Sequence, residues 1–186
     1  METLYYSQMK SAIGPLWIAV SDKGVVFIDW GSRDFPPISC DKDVNWVISE
    51  EQTAEVRKQL TEYFDGERTE FTVGIDLRSG TEFQRKCWEI LTKIPYGQTR
   101  SYLEVAEAAG RPAASRAVGQ ANHHNPIPIV IPCHRVINSD GRLAGYGGGI
   151  GLKERLLRLE GVIPGNGELF PDDNLTKVTK VQMTKE

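Results

Sequence analysis

Short apolar segments separated by a polar turn characterise the start of the chain. Residues 16–20 and 24–30 are apolar and are joined by Ser21-Asp22-Lys23, a pattern that predicts a β-hairpin. Residues 4–7 have a similar composition and predict an additional edge strand. Residues 31–43 are polar and contain two adjacent prolines, so we expect a loop, with Cys40 as an incidental surface thiol.

A helical pattern follows these strands. Ser49 and Gln52 have the spacing of a capping box, which predicts that a helix begins there. We expect this helix to end at Asp65-Gly66. The apolar stripe of the helix consists of Val56, Leu60, Tyr63 and Phe64. Because Arg78-Ser79-Gly80 interrupts the pattern, residues 1–79 are predicted to form a small α/β domain with an antiparallel sheet.

Two further capping boxes begin at Thr81 and Ser101 and predict two more helices. The first carries Cys87 within its apolar face, and the second is short and runs to Ala109. Gly110-Arg111-Pro112 then turns the chain into a helix over residues 113–123. Two short helices around a tight glycine-containing turn are typical of a helix-turn-helix.

The helix over residues 113–123 has an unusually small set of side chains. Its small residues are Ala113, Ala114, Ala117, Gly119 and Ala121. Arg116 is its only arginine or lysine, whereas a helix that reads major-groove base edges presents several long polar side chains. Such a surface fits close helix packing and close approach to DNA equally well.

The strongest chemical signal is the segment 127–136, Ile-Pro-Ile-Val-Ile-Pro-Cys-His-Arg-Val. Its β-branched run over residues 127–131 predicts a buried strand, which Pro132 ends. Cys133 then follows with His134 and Arg135, and a thiol near an imidazole and a cation can ionise to a nucleophilic thiolate. The alternative is a structural cysteine buried at a strand end.

A glycine-rich segment and a last helix complete this half of the chain. Gly145-Tyr146-Gly147-Gly148-Gly149 predicts a loop whose backbone approaches a flat ligand closely. The helix over residues 152–159 ends at Glu160-Gly161, where a carboxylate opposes the helix dipole. That carboxylate is either a solvated surface group or a group that orients a histidine.

Composition and charge narrow the function classes. The 186 residues have a net charge of −3 and contain three widely spaced cysteines, with no paired metal-ligand motif, so we expect a reduced, cytosolic protein without metal or cofactor. No signal peptide or membrane span is expected. Residues 1–80 carry 8 Lys and Arg against 14 Asp and Glu, whereas residues 81–160 carry 11 against 7. Any polyanion is therefore expected to contact the second half.

Taken together, these motifs resemble the O6-alkylguanine-DNA alkyltransferases, the methylated-DNA–protein-cysteine methyltransferases. The resemblance covers about residues 70–162 and rests on Pro132-Cys133-His134-Arg135-Val136, Arg116-Ala117-Val118-Gly119 and Gly145-Tyr146, among others. The family implies an α+β protein, with a ribonuclease H-like sheet in the first domain. It also implies a mainly helical domain over residues 80–165, whose helix-turn-helix enters the minor groove. Residues 166–186 are expected to be a disordered polar tail.

The resemblance also implies roles for individual residues. Cys133 would accept the alkyl group, His134 would act on it through a water, Glu160 would orient His134, and Asn125 would support the turn. The DNA-binding set would be Arg116, which replaces the extruded nucleotide, Tyr102, which donates to guanine N3, and Ala114, Ala117, Gly119 and Arg135. The wall of the base pocket would be formed by Pro128, Val136, Tyr146, Gly147 and Gly148. Some members have serine where this chain has Gly147, and the non-repairing relatives have tryptophan where it has Cys133.

The function that these features imply is stoichiometric repair of O6-alkylguanine, and also of O4-alkylthymine, in double-stranded DNA by a monomer. A Cys-His hydrolase would leave the helix-turn-helix unexplained. A lesion sensor that binds DNA without chemistry would leave Cys133, His134 and Glu160 unexplained.

Overall fold

The computed structural model of the chain describes residues 2–30 and 44–164. The chain divides into two compact units, Met1–Ser79 and Gly80–Glu186. The expected loop at residues 31–43, with Cys40, and the expected tail at 166–186 lie outside the described residues. None of the described helices is long and apolar enough to cross a membrane.

A four-stranded sheet forms the first unit, in the order β3-β2-β1-β4. Its strands are β1 (Glu2–Ser11), β2 (Gly14–Ser21), β3 (Gly24–Trp30) and β4 (Val44–Ile48). The predicted antiparallel pairing is confirmed for β1, β2 and β3. The sequence did not predict β4, which pairs parallel to β1 and makes the sheet mixed. For the same reason β1 is an inner strand and not the edge strand that the sequence predicted.

Helix α1 (Ala54–Phe64) begins later than the sequence predicts. The Ser49 hydroxyl does accept from the Gln52 amide at 3.2 Å, but this bond closes a separate turn ahead of the helix. The residue at the helix N-cap is Thr53, whose hydroxyl is 2.6 Å from the Ser7 hydroxyl of β1 inside the core. The predicted apolar stripe is buried, and the helix ends at Asp65 as expected.

The second unit is mainly helical. Its helices and strands are α2 (Glu82–Leu91), β5 (Arg100–Ser101), α3 (Tyr102–Ala108), α4 (Ser115–His123), β6 (Val136–Ile137) and α5 (Ile150–Leu159). Both predicted capping boxes form, with Thr81 at the start of α2 and Ser101 at the start of α3. The indole N–H of Trp88 on α2 donates to the Ala121 carbonyl on α4 at 2.8 Å, which joins these two helices in the core.

The predicted helix-turn-helix is present as α3 and α4. Gly110, with φ +77°, allows the chain to turn after α3. Pro112 begins a short 3₁₀ turn, Pro112–Ala114, and α4 begins only at Ser115 instead of at residue 113. The expected pair of helices is therefore confirmed, with a shorter second helix.

The segment 127–131 is buried but does not form the strand that its composition predicts. The Ile131 amide donates to the Ile127 carbonyl at 2.9 Å, so the segment closes on itself as a tight turn. Pro126, Pro128 and Pro132 have no N–H to donate to a sheet, which explains why no ladder forms. The turn places Ile129 at φ +75°, a strained conformation for a β-branched residue.

Candidate active site

Cys133 begins a short 3₁₀ helix, Cys133–Arg135, directly after the strained turn. The Asn125 amide nitrogen donates to the Cys133 sulfur at 3.1 Å and to the Ile131 carbonyl at 2.8 Å, while its oxygen accepts from the Ile127 amide at 3.0 Å. One side chain therefore holds both ends of the turn and presents a donor to the thiol. Cys133 is only 4% exposed.

His134, Arg135 and Glu160 form a buried cluster beside this thiol. His134 Nε2 lies 2.7 Å from Glu160 Oε1, so Nε2 carries the proton that the carboxylate accepts. Arg135 binds the same carboxylate through two nitrogens, Nε at 2.9 Å and Nη2 at 3.0 Å. Of the two possibilities for Glu160, the structure supports the group that orients a histidine.

The charge state of this cluster follows from burial and pairing. Burial would raise the pKa of Glu160, but His134 and the Arg135 guanidinium outweigh it and lower that pKa to about 2. Burial lowers the pKa of His134 although Glu160 acts in the opposite direction, so the imidazole is neutral. Its Nδ1 is buried and has no hydrogen-bond partner among residues 2–30 and 44–164. Nδ1 therefore has a free lone pair that can accept a proton.

Arg135 is not the DNA contact that the sequence predicts. It is 6% exposed, and its remaining nitrogen Nη1 donates to the Ile94 carbonyl at 2.5 Å. All three nitrogens of its guanidinium therefore donate to groups inside the unit. The physical reason is that Glu160 is buried at the end of α5 and requires a counter-charge.

The structure also brings to the site a lysine that belongs to the stretch resembling the family but to which the sequence assigned no role. Lys153 on α5 is fully buried, and its Nζ donates to the Val136 carbonyl at 2.5 Å and to the Ala144 carbonyl at 3.0 Å. Burial lowers its pKa to about 8, while the Cys133 thiolate acts in the opposite direction. The sequence did contain evidence for a buried lysine, because Lys153 lies on the same face of the helix as Leu156. A charged side chain on an apolar helix face is buried and needs a partner.

The acidity of Cys133 reflects opposing influences. Burial raises the pKa of its thiol, whereas the Asn125 hydrogen bond and the positive charge of Lys153 lower it. Burial prevails, so the net shift of this pKa is upward, although the sequence pointed only to neighbouring groups that favour ionisation.

A cavity of about 470 Å³, in the size range of a small-molecule site, lies between α4 and the glycine loop, and Cys133 itself is not among its lining residues. Its lining includes five predicted residues, Tyr102, Arg116, Gly119, Tyr146 and Gly147. The lining also includes residues that the sequence did not indicate, among them Ser115, Asn122, His123 and Asn138. Burial raises the pKa of both Tyr102 and Tyr146, and a thiolate at Cys133 would raise it further, so these two phenols belong to the surroundings of the sulfur.

Three predicted pocket residues do not line this cavity. Pro128 and Val136 are buried in the surrounding core, and Gly148 lies outside the lining although it belongs to the glycine loop. Val136 contributes through its carbonyl, which binds Lys153. The motifs around Cys133 and Tyr146 indicated the part of the fold where the cavity lies. The order of residues along the chain did not determine which side chains face that cavity.

The first part of α4 has an open face of small residues, whereas its last turn reaches the core. Ala117 and Arg116 are exposed, and Ala114, in the 3₁₀ turn before the helix, is partly exposed. Ala121 is fully buried. A methyl group placed on Gly119 would lie 3.9 Å from the Tyr102 ring, in ordinary contact, and outside its own helix no other atom of residues 2–30 and 44–164 would lie within 4 Å. Tight helix packing therefore does not explain Gly119, so of the two alternatives for this helix, contact with an external partner is favoured.

Two family models match the chain. One, described as the ribonuclease-like domain of 6-O-methylguanine DNA methyltransferase, matches residues 4–78, and the other, described as its DNA binding domain, matches residues 82–162. The chain belongs to the 6-O-methylguanine DNA methyltransferase family. The resemblance drawn from the motifs is confirmed, and membership extends to the first unit, where the sequence resembled the family only in layout.

Relatives in this family match both halves of the chain. A methylated-DNA–protein-cysteine methyltransferase of Methanosarcina acetivorans is 44% identical, with 85% of this chain and 99% of the relative covered. Another from Mycolicibacterium paratuberculosis is 47% identical, with 83% and 91% covered. A crystal structure of Mycobacterium tuberculosis OGT in complex with DNA is 45% identical, covers 85% of this chain and 92% of that one, and has a TM-score of 0.73.

Proposed function

We propose that this protein repairs duplex DNA by transferring the alkyl group of O6-alkylguanine to the sulfur of Cys133. The observation that carries the proposal is the buried thiol, held by the Asn125 amide at 3.1 Å, in a unit whose cavity is lined by residues of α4 and of the glycine loop. Membership in the 6-O-methylguanine DNA methyltransferase family supports it. O4-alkylthymine is proposed as a second substrate, since it presents the same alkoxy group on a flat ring.

The reaction is a displacement at saturated carbon. The Cys133 sulfur forms a bond to the alkyl carbon while the bond from that carbon to O6 breaks and its electron pair moves to the guanine. The proton of the thiol ends on the guanine ring, so the products are unmodified guanine and a thioether. A thioether has no carbonyl for water to attack, so we propose that each molecule reacts once.

His134 would move the proton in this reaction. Its Nε2 is committed to Glu160, which leaves the buried Nδ1 as the basic nitrogen. Because burial keeps the thiol protonated at rest, this base is needed when the substrate arrives. Arg135 and Lys153 act indirectly, the first by holding Glu160 and the second by placing a positive charge near the sulfur.

The lesion must leave the base stack before it can reach Cys133, at a cost of a few kcal/mol. We propose that the open face of α4 enters the minor groove and that Arg116, exposed beside the cavity, fills the gap left by the nucleotide. Tyr102 would donate to guanine N3, and its pKa of about 12 keeps it protonated for that purpose. We further propose that the protein acts as a monomer in a reducing, cytosolic setting.

The test is to incubate the protein with a duplex that contains one O6-methylguanine and to measure its mass. A gain of one methyl group per molecule, mapped to the peptide of Cys133, is the expected result. Cys133→Ser should bind the lesion without transfer, whereas Cys87→Ser, at the other buried cysteine of the described residues, should retain transfer. A methyl group on Cys87, or repeated turnover, would contradict the proposal.

The same measurement distinguishes the two rival functions. A lesion sensor would bind the duplex and gain no mass. A Cys-His hydrolase would release product repeatedly and act on acyl substrates.

A further inference from the structure

Asn122 lies in the cavity wall and has a buried amide without a well-aligned hydrogen bond. It follows Gly119 by three residues on α4, so both face the same side of the helix and both line the cavity. Within residues 2–30 and 44–164, neither its Nδ2 nor its Oδ1 has a partner of good geometry. A buried polar group without a partner destabilises a protein and is rare, so this one needs an explanation.

The neighbour of this amide is the Tyr102 hydroxyl. The Tyr102 ring packs against α4 at Gly119, and a methyl group at 119 would be 3.9 Å from ring atom Cε1. Burial raises the pKa of Tyr102 to about 12, and the Asn122 side chain acts against this by lowering it. A neutral amide lowers a phenol pKa by donating to its oxygen, and this agrees with an Asn122 side chain that lines the same cavity as Tyr102 with its amide nitrogen towards the hydroxyl.

We propose that Asn122 is a positioning residue that orients the Tyr102 hydroxyl towards the extruded base. The inference rests on the proposed function, in which Tyr102 donates to guanine N3. A phenol has one proton. If Asn122 donates to the phenol oxygen, that proton remains available for the base. If the Asn122 amide oxygen instead accepted a hydrogen bond from the Tyr102 hydroxyl, the hydroxyl could not donate to the base. The loose geometry in the free protein agrees with a contact that tightens when the base enters.

The experiment measures the single-turnover rate on duplexes that contain O6-methylguanine or its 3-deaza analogue, in which a C–H replaces the N3 acceptor. Asn122→Leu should slow reaction with O6-methylguanine about five-fold, the effect of one lost hydrogen bond. It should have no effect on the 3-deaza analogue, and none when added to Tyr102→Phe. The control Asn45→Leu, at an exposed asparagine of the first unit, should match the wild type on both duplexes.

Asn122→Asp, which keeps the shape of the side chain, provides a second and independent test. A carboxylate can only accept a hydrogen bond, so it should accept one from the Tyr102 hydroxyl, which would then no longer donate to the base. Asn122→Asp should therefore slow reaction with O6-methylguanine more than Asn122→Leu does. On the 3-deaza analogue, which has no N3 acceptor, Asn122→Asp should react no more slowly than Asn122→Leu. If Asn122→Leu does not fold, this variant decides the question alone.

Two results would overturn the inference. One is equal slowing on both duplexes, which would assign Asn122 to binding or folding in general. The other is that Asn122→Leu slows the reaction by the same factor when it is added to Tyr102→Phe, which would show that the two side chains act independently. A wild-type protein that transfers no methyl group would overturn the proposed function first, and with it this inference.

Discussion

Glu160 provides the most direct test of the buried cluster. Its carboxylate accepts from His134 at 2.7 Å and from Arg135 at 2.9 and 3.0 Å, and it also accepts from the Gly97 amide at 3.3 Å. Glu160→Gln removes the charge and keeps the size. It leaves the Arg135 guanidinium buried without a counter-charge, which is strongly destabilising.

The magnitude follows from the pKa. Folding lowers the pKa of Glu160 from 4.5 to about 2, and the side chain is fully buried, so the charged form contributes about 3 kcal/mol to the free energy of unfolding near neutral pH. Because the folded pKa is lowered, this contribution is complete above 4.5 and disappears as the pH falls through 2. At about pH 3 it should be only about 1.4 kcal/mol.

The assay is reversible urea unfolding of the wild type and of Glu160→Gln at about pH 7 and about pH 3. The variant should be less stable by about 3 kcal/mol at the higher pH and by less than half of that at the lower pH. Glu89→Gln is the matched control, because Glu89 pairs with Lys93 at 2.8 Å on the surface, with both side chains 69% exposed. That change should leave the stability almost unaltered, because an exposed ion pair contributes little in water.

Two outcomes would refute this reasoning. If Glu160→Gln destabilises the protein no more than Glu89→Gln does, the cluster contributes no net stability. If the loss is the same at both pH values, it comes from altered packing and not from the charge of Glu160.

Two further predictions concern the reaction. Arg116→Ala should slow repair in duplex DNA about 10- to 100-fold and leave reaction with free O6-benzylguanine unchanged, because only the duplex requires extrusion of the base. Single-turnover rates on both substrates test this, with Arg142→Ala, at an exposed arginine, as the control. Equal slowing on both substrates would exclude a role of Arg116 in extrusion. Lys153→Met should slow reaction with free O6-benzylguanine below about pH 8, because the thiolate loses a nearby positive charge, and this deficit should shrink at higher pH as the wild-type ammonium, with a pKa of about 8, loses its proton. A deficit that does not change with pH would assign Lys153 a purely structural role.

Elements specified by local sequence were predicted well. The capping boxes at Thr81 and Ser101 join residues three apart, and both helices begin where these pairs indicate. The same spacing at Ser49 misled the prediction, because its hydroxyl closes an isolated turn and Thr53 is the residue that meets the sheet. A capping pair thus indicates a local hydrogen bond, and tertiary contacts decide whether a helix follows it directly.

The segment around Cys133 shows the opposite limitation. Its composition correctly indicated burial, yet a buried apolar run does not distinguish a strand from an irregular turn. The three prolines at 126, 128 and 132 were the available evidence against a strand. Arg135 was predicted to contact DNA, and Lys153 was given no role, because their partners are distant along the chain. Arg135 binds Glu160. Lys153 binds the Val136 and Ala144 carbonyls.

The burial of Cys133 has a chemical consequence under the proposed function. A thiolate is the form that attacks a saturated carbon, but it is also the form that is oxidised. At 4% exposure, and with its pKa raised by burial, the resting thiol is protonated and shielded from oxidants. Asn125 and Lys153 are already in place to stabilise the thiolate when a base fills the cavity, and under the proposal the Nδ1 of His134 would accept its proton. A protein that reacts once and is not regenerated has more to lose from premature oxidation than from a slower reaction, and this favours a buried nucleophile over an exposed one of lower pKa.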